Sequence, residues 1–284
     1  MLLKNKKSAK VENLVSVIIP TKNSEKVLSR CLQSIKNQSY KNIEIIIIDN
    51  NSIDKTKLIA SKFTTQVFNK GPERSAQRNF GVSKAKGEYL LFIDSDMVLS
   101  RNVVGDCVLL SQKSEVRSRK PGGIVIPEES FGEGFWASCK ALERSFYLKV
   151  KWIEAPRFFS KSVFMELKGF DEKLISGEDW DLGQKAKAKY KVLRISSFIK
   201  HDEGNLSLVQ LLKKKMYYGK QITNYSSKEE NNKDWKRQSS IAKRYELFFS
   251  NPQKLFSNPM IGIGMLFMKT CEFAVVGLGY LLKE

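Results

Sequence analysis

Short, almost continuously apolar runs alternate with helix-like segments in the first third of the chain. The apolar runs are residues 14–21, 43–49 and 90–93, and they are rich in isoleucine, valine and leucine. Residues 23–38 repeat apolar positions every three or four residues, and residues 74–87 also have a helical pattern. Buried strands that alternate with helices predict an α/β fold with a mostly parallel central sheet and helices on both faces.

Local signals set the expected ends of these elements. Asn23 or Ser24 is a suitable N-cap for the first helix, and Gly87 is expected to end the helix that begins at Arg74. The later pattern predicts further elements: helices over residues 101–115 and 133–150, a strand over residues 122–127, and a helix that starts near Glu178.

Composition divides the chain into three expected regions. Residues 1–13 form a basic tail, residues 14–205 carry the alternating pattern, and residues 206–284 are Lys-rich, helical and then apolar. The sequence MLLKNKKSAK has no apolar core of a signal peptide, so the catalytic part is expected in the cytoplasm. The four cysteines are far apart and form no C-x-x-C pair, which fits a reducing compartment and argues against a zinc site.

The chain is strongly basic, with 49 Lys and Arg against 30 Asp and Glu and a net charge of +19. Nucleic acid, an anionic membrane surface and a polyanionic substrate are the partners that such a charge can attract. The sequence has no zinc finger or RNA-recognition signature, so a nucleic-acid partner is not expected. A nucleic-acid-binding or scaffold protein remains the alternative from a different functional class.

Polar residues follow the apolar runs at three places. Thr21, residues 49–51 and residues 94–96 all come where a strand is expected to end. In parallel sheets ligands bind outside the carboxyl ends of the strands, so these residues should converge on one edge of the sheet.

Asp94 and Asp96 form a D-x-D motif directly after a buried strand. Two carboxylates are costly to bury without partners, and this spacing suits a hard divalent cation. Mg²⁺ or Mn²⁺ prefers one or two carboxylates together with substrate phosphates, which points to a nucleotide diphosphate held through a metal. The chain has neither G-x-G-x-x-G nor a P-loop motif, so Rossmann and P-loop enzymes are not expected.

Four segments in this order resemble family 2 glycosyltransferases with the GT-A fold. They are VSVIIPTKN, EIIIIDNNSID, RSAQRNFGVSKAKGEYLLFIDSDM and GFDEKLISGEDWDL, and the resemblance covers roughly residues 14–205. It implies an inverting transfer of one sugar from a nucleotide-diphospho-sugar to an acceptor hydroxyl. A nucleotidyltransferase on the same fold would normally have a Gly-rich first loop, and PTKNSEK is not one. The Q-x-x-R-W motif of processive members is also absent, which favours single-sugar transfer.

The resemblance also implies which residues contact the donor. Asn50 stands where the family often has a second Asp, so the base is left open, with a UDP-sugar favoured and a GDP-sugar possible. The expected nucleotide-sugar contacts are Pro20 and Thr21 in the first loop, Asp49, Asn50 and Asn51 at the base and ribose, Arg74 and Arg78 in the lining helix, and Asp94 with Ser95.

The same resemblance implies which residues bind the metal and which residue acts as the general base. Asp94, Asp96 and His201, the only histidine, are the expected ligands of Mn²⁺ or Mg²⁺. The acceptor hydroxyl must lose a proton as it attacks, and a nearby carboxylate can take it. Asp179 is the expected general base, and Glu178 is the alternative.

The C-terminal segment is apolar but carries Lys269 and Glu272 near its centre. Charges there are costly in a membrane span, and Pro259 with several glycines favours two shorter helices lying in the membrane plane. The basic stretch before it would face anionic headgroups. These features predict a peripheral enzyme on the cytoplasmic face of the cell membrane with a lipid-linked acceptor. A membrane span over residues 259–282, an ordinary core helix and a homo-oligomer formed through the C-terminal helices are the alternatives for this segment.

Overall fold

The computed structural model describes residues 13–116, 120–221, 225 and 233–282. Its strands are β1 Val15–Thr21, β2 Ile43–Asp49, β3 Val67–Asn69, β4 Tyr89–Phe92, β5 Met97–Leu99, β6 Gly123–Val125, β7 Glu128–Glu133, β8 Phe158–Ser160, β9 Val192–Arg194 and β10 Ile199–Asn205. Its helices are α1 Leu28–Lys36, α2 Thr56–Ser61, α3 Arg74–Lys84, α4 Val103–Val116, α5 Gly134–Ser145, α6 Lys161–Glu166, α7 Glu178–Lys189, α8 Leu208–Gln221, α9 Lys233–Ser239, α10 Ile241–Phe249, α11 Pro252–Leu255 and α12 Pro259–Leu281.

The central sheet has seven strands in the order β3-β2-β1-β4-β8-β6-β9. The β1, β2, β3 and β4 strands are parallel, whereas β8 runs antiparallel to β4 and β6. β1 is buried along its whole length because helices cover both faces of the sheet. The predicted α/β architecture with a mostly parallel sheet is therefore confirmed.

A second sheet of three strands, in the order β5-β10-β7, was not expected from the sequence. β5 follows the D-x-D motif directly and pairs antiparallel with β10, which places His201 opposite Met97. β7 has the polar sequence EESFGE and shows no apolar alternation. This small sheet brings the metal-ligand candidates of two distant segments together.

Two predicted helix ends were wrong for identifiable reasons. α1 begins at Leu28 rather than after Asn23 or Ser24, because the Ser24 hydroxyl is bonded to Lys22 and Ser95 in the loop. α3 ends at Lys84, and Ala85 is already extended. Gly87 serves strand packing instead, since a Cβ there would lie 2.6 Å from the Leu14 carbonyl oxygen.

The C-terminal segment forms one helix of 23 residues, which corrects the prediction of two shorter helices. Pro259 lies in the first turn, where its missing N–H removes no intrahelical bond. The glycines allow neighbouring elements to approach: a Cβ on Gly279 would lie 2.6 Å from the Met216 carbonyl oxygen of α8. Glycine therefore serves helix packing here and does not break the helix.

α12 packs against α8 and α5. A hydrophobic core joins Cys139 of α5 and Phe146, which directly follows α5, to Leu211 of α8, Phe248 of α10 and Met268 of α12. In the described part of the chain, α12 is the one helix long and apolar enough to cross a membrane. Lys269 and Glu272 are buried on its inner side, so the charges at its centre face the protein.

Candidate active site

A cavity of about 390 Å³ opens between the two sheets and the C-terminal helices. Its wall includes Asp94, Glu128 and His201 from the strand side and Asp179 from α7. The helices α5, α8, α10 and α12 contribute basic residues, among them Lys140 and Lys215. A cavity of this volume falls in the range of small-molecule sites.

Asp94 is held by arginines on both sides. Its Oδ1 lies 2.7 Å from Nη2 of Arg78, and its Oδ2 lies 3.5 Å from Nη1 of Arg157. Burial alone would raise the pKa of Asp94, but the two guanidinium groups outweigh it and hold that pKa well below its usual range. Asp94 is therefore an ionised carboxylate whose two oxygens face cations.

Arg78 departs from its predicted place in the wall of the nucleotide site. Its side chain is wholly buried and absent from the cavity wall, and it bridges Asp94 to the first turn of α7. Its Nη1 lies 3.0 Å from Asp179 Oδ1 and 3.4 Å from Glu178 Oε1. Arg78 thus links the D-x-D motif to the candidate base, whereas Arg74 does line the cavity.

Asp96 faces His201 across the small sheet. The His201 Nε2 lies 3.2 Å from Asp96 Oδ2, and the Nη2 of Arg144 lies 3.3 Å from His201 Nδ1. Burial would lower the pKa of His201, but the hydrogen bond and charge of Asp96 outweigh it and raise that pKa. The remaining carboxylate oxygen of Asp96, Oδ1, is buried without a hydrogen-bond partner in the described structure.

These residues fit a divalent metal that takes part of its coordination from a substrate. Among the residues described, no group of three or more His, Cys, Asp or Glu side chains is arranged to hold a metal by itself. Asp96 and His201 could supply two ligands, and the unpartnered Asp96 Oδ1 is suited to a cation. Mg²⁺ and Mn²⁺ sites of this kind are completed by phosphate oxygens and water. With both of its oxygens facing arginines, Asp94 is less suited to bind the metal directly than the sequence suggested.

Glu178 and Asp179 occupy the first turn of α7. Gly177 precedes them with φ 83°, and a Cβ there would lie 2.9 Å from the ring of Tyr225. Glu178 is buried and pairs with Arg74 at 3.3 Å, whereas the Asp179 side chain is 34% exposed. Burial and the neighbouring Asp179 raise the pKa of Glu178 against the opposing effect of the arginines. Asp179 is therefore the carboxylate more accessible to a substrate.

The strand-end residues of β1 and β2 bond mainly to each other. Thr21 lies opposite Asp49 in the parallel register, and its hydroxyl donates to Asp49 Oδ1 at 2.8 Å. The Asn50 side-chain amide donates to the Pro72 carbonyl at 2.5 Å. Pro20, Thr21 and Asp49 are buried, and Asn51 is exposed. The predicted convergence thus holds for Thr21 and Asp49, but these residues lie outside the cavity wall that contains Asp94.

Several charged residues of the cavity wall were missed by sequence reasoning. Arg157 precedes β8 and bonds through Nε to Glu128 Oε1 at 2.5 Å. Arg144 is placed by α5, and neither arginine belongs to a recognisable motif. The run KKKMYY at residues 213–218 was the one sequence signal in this region, and it contains the wall residues Lys215 and Tyr218. Other charged residues of the wall that the sequence analysis did not assign to the site include Glu128, Lys140, Glu154, Arg244 and Lys269.

The chain has a GT-A-like fold, as two solved structures show. The chain aligns with the Staphylococcus aureus protein TarS, residues 1–349 in complex with UDP, with a TM-score of 0.53 and 17% identity over 94% of this chain and 90% of that one. It aligns with the Pyrobaculum calidifontis mannosyltransferase PcManGT, in complex with GDP-Man and Mn²⁺, with a TM-score of 0.63 and 12% identity over 96% and 88%.

Sequence comparison points to the same class of proteins. The family model "Glycosyl transferase family 2" matches residues 16–120, so this part of the chain is similar to that family. The Campylobacter jejuni GalNAc(5)-diNAcBac-PP-undecaprenol beta-1,3-glucosyltransferase is 28% identical over 212 residues, 68% of this chain and 67% of that protein. The Streptococcus pneumoniae glycosyltransferase GlyG is 37% identical over 102 residues, 33% of this chain and about a third (34%) of that protein.

Proposed function

We propose that this protein transfers one sugar from a nucleotide-diphospho-sugar to an acceptor hydroxyl with inversion. The observation that carries the proposal is the shared cavity. It joins His201, the partner of Asp96, to the accessible carboxylate Asp179. One end of such a site can hold a diphosphate, and the other can accept a proton. The family relationship supports the same reaction class.

The donor is a nucleoside diphosphate sugar, with UDP favoured over GDP. Structures of the same fold have been solved with UDP and with GDP-Man and Mn²⁺. In this chain Asp96 and His201 would hold the divalent metal, and Arg74 in the cavity wall would approach the donor. When bound, the metal supplies charge neutralisation on the leaving diphosphate.

Asp179 acts as the general base in this proposal. The acceptor oxygen attacks the anomeric carbon, and its proton passes to the Asp179 carboxylate. The bond from the anomeric carbon to the diphosphate oxygen breaks, and the nucleoside diphosphate leaves with the electron pair. Arg78, 3.0 Å from Asp179 Oδ1, orients the carboxylate for the transfer.

The acceptor is proposed to be lipid-linked and to be met at an anionic membrane surface on the cytoplasmic side. One relative is named for an undecaprenyl-diphosphate-linked substrate. On α12, Ile263, Phe267, Ala274, Leu278 and Leu281 are exposed and recur along one face of the helix, opposite the buried charges. An exposed apolar stripe of this length suits the hydrocarbon boundary of a membrane.

A donor screen tests the reaction. Purified protein is incubated with UDP- and GDP-sugars and Mn²⁺, and thermal unfolding and release of the nucleoside diphosphate are measured. A ligand that binds only the folded protein raises its melting temperature, so at least one sugar nucleotide should stabilise the protein in the presence of Mn²⁺. If no sugar nucleotide raises the melting temperature and none is turned over, the proposed function is wrong.

The membrane surface is tested with vesicles. Ile263→Glu places a charge in the exposed stripe and should reduce binding to anionic vesicles, because a charge at the apolar boundary is costly. Thr270→Glu, on the same face but at a position that is already polar, is the milder comparison. Equal vesicle binding by the wild type and Ile263→Glu would exclude the stripe as the contact surface, and a dimer of the wild type in solution would assign it to self-association.

A further inference from the structure

Four oppositely charged side chains form a closed ring between α5 and α12. Lys140 Nζ lies 2.6 Å from Glu143 Oε2 and 2.9 Å from Glu272 Oε1. Lys269 Nζ lies 2.8 Å from Glu143 Oε1 and 2.7 Å from Glu272 Oε2. Each ammonium group contacts both carboxylates, so the two cations and two anions balance. A balanced and fully bonded ring is the form in which buried charges are tolerated.

Two more cations in the same cavity wall have no such partner. Lys215 of α8 has only one carboxylate oxygen within 4.0 Å among the described residues, Glu272 Oε2 at 3.9 Å, and that oxygen already contacts Lys269. Arg244 of α10 is 6% exposed and has no carboxylate within 4.0 Å in the described part of the chain. We call Lys215 and Arg244 the basic pair.

Arg244 is held in place without being neutralised. Its guanidinium lies 4.8 Å from the ring centre of Tyr147 and 5.0 Å from that of Trp152. Its Nη2 donates to the Gln238 carbonyl at 3.1 Å, while its buried Nε has no hydrogen-bond partner among the residues described. A buried guanidinium with an unused donor is costly unless an anion meets it.

Two helices connect the surroundings of the basic pair to the reacting end of the cavity. On α5, Lys140 of the ring is one turn from Arg144, which contacts His201. On α8, Lys215 is three residues before Tyr218, whose ring centre lies 6.0 Å from the Arg74 guanidinium. Lys215, Arg244, His201 and Asp179 all line this one cavity, so a ligand that fills it can contact both the basic pair and the reacting end.

We propose that the basic pair binds a phosphate or diphosphate group of the acceptor and thereby positions its hydroxyl for the transfer. This inference rests on the proposed function and names the class of acceptor. The acids in the cavity wall do not oppose it, because Glu128 is paired with Arg157 and Glu154 with Arg194. A prenyl diphosphate and a polyol phosphate share this chemistry, and the experiment separates them.

Calorimetry with inorganic pyrophosphate in EDTA tests the site without the metal-dependent donor site. Wild-type protein should bind pyrophosphate, and Lys215→Met should weaken the binding at least tenfold. Lys214→Met removes the same charge from an exposed position on the same helix and should leave the affinity within about twofold. Arg244→Gln, checked for folding by its thermal melt, should weaken binding as Lys215→Met does. Absence of pyrophosphate binding, or equal losses in the Lys214 and Lys215 variants, would overturn the proposal.

Two further arms identify the source of the phosphate. Farnesyl diphosphate and glycerol phosphate are titrated in the same buffer, and tighter binding of one of them assigns the group to a lipid carrier or to a polyol phosphate. Hydrolysis of the donor sugar nucleotide by the wild type is measured in parallel, and it should remain within about twofold of that value in Lys214→Met, whose side chain is exposed and outside the cavity wall. Intact donor hydrolysis without pyrophosphate binding would reject the basic pair alone, whereas absence of turnover in the wild type would reject the proposed function.

Discussion

Two buried networks of charge contribute to one cavity, and they differ in how their charges balance. The first joins Asp94, Glu178 and Asp179 through Arg78, and it surrounds the residues proposed to react. The second is the ring of Lys140, Glu143, Lys269 and Glu272, and the basic pair lies beside it. In the first network one buried cation is shared by three acids, whereas the second is balanced in itself and leaves the basic pair beside it without a carboxylate of its own. This difference fits the proposal that the first network accepts a proton and that the basic pair beside the second binds an anion.

The largest loss of stability is expected when Arg78, the cation shared by the three acids of the first network, is replaced. Arg78→Met leaves three carboxylates without their shared cation, and breaking a buried ion pair costs about 3–5 kcal/mol. The free energy of unfolding in urea should fall by that amount. Arg74→Met is the matched control, since Arg74 is 42% exposed and pairs only with Glu178 among the described acids. A loss from Arg78→Met no larger than that from Arg74→Met would contradict the central role of Arg78.

The second network is tested at Glu272, the acid that contacts Lys140, Lys215 and Lys269. Glu272→Gln should lower the free energy of unfolding by about 3 kcal/mol because two buried ammonium groups each lose a carboxylate. The same change should strengthen pyrophosphate binding, since it increases the excess of positive charge. If Glu272→Gln lowers the free energy of unfolding but weakens pyrophosphate binding, the charge of the ring does not govern anion binding at the basic pair.

Glu178 and Asp179 of α7 are distinguished by the effect of their replacement on kcat. Asp179→Asn should lower kcat about 100-fold or more, the scale of a lost general base, with donor affinity close to that of the wild type. Glu178→Gln should have the smaller effect on kcat because Glu178 is buried against Arg74 and Arg78. The reverse order of the two kcat values would transfer the role of base to Glu178.

The smallest expected effect is the change of pyrophosphate affinity with pH. Glu272 would raise the pKa of Lys215, but burial and the cations Lys140 and Lys269 outweigh it and lower that pKa to about 8. A lowered pKa means that Lys215 loses its proton as the pH rises through 8. Pyrophosphate affinity should therefore fall by up to about tenfold between pH 7 and pH 9 in the wild type. The Lys215→Met variant should lack this decrease, and an equal decrease in both proteins would exclude Lys215 as its origin.

The first network is far easier to predict from the amino-acid sequence than the second. The D-x-D motif follows an apolar strand, which is enough to select Asp94 and Asp96, and the family resemblance of the ED pair then selects Asp179 with Glu178 as the alternative. The ring has no motif, because its members come from two helices more than 100 residues apart. Residues such as Lys140 on α5 look like ordinary charges of a helix surface until the packing of α12 buries them.

Errors at α12 and β7 have related physical causes. Lys269 and Glu272 were interpreted as interruptions of an apolar segment, although ion pairs with α5 allow both to lie inside one continuous helix. β7 consists mainly of polar residues, and its backbone pairing with β10 holds it in the small sheet. The hydropathy of a short segment cannot predict the ion pairs of α12 or the strand pairing of β7, because both depend on partners that are distant in the sequence.

The proposed function depends most on Asp96, which would hold the metal that binds the diphosphate of the donor. The direct measurement is the affinity for UDP with and without Mn²⁺, determined by calorimetry for wild type, Asp96→Asn and Glu129→Gln. Glu129 is an exposed acid on β7 outside the cavity wall and controls for the lost charge. We expect Mn²⁺ to strengthen UDP binding about tenfold or more in wild type and Glu129→Gln, and to have no effect in Asp96→Asn. Equal strengthening in Asp96→Asn, or no effect of Mn²⁺ on the wild type, would contradict the account.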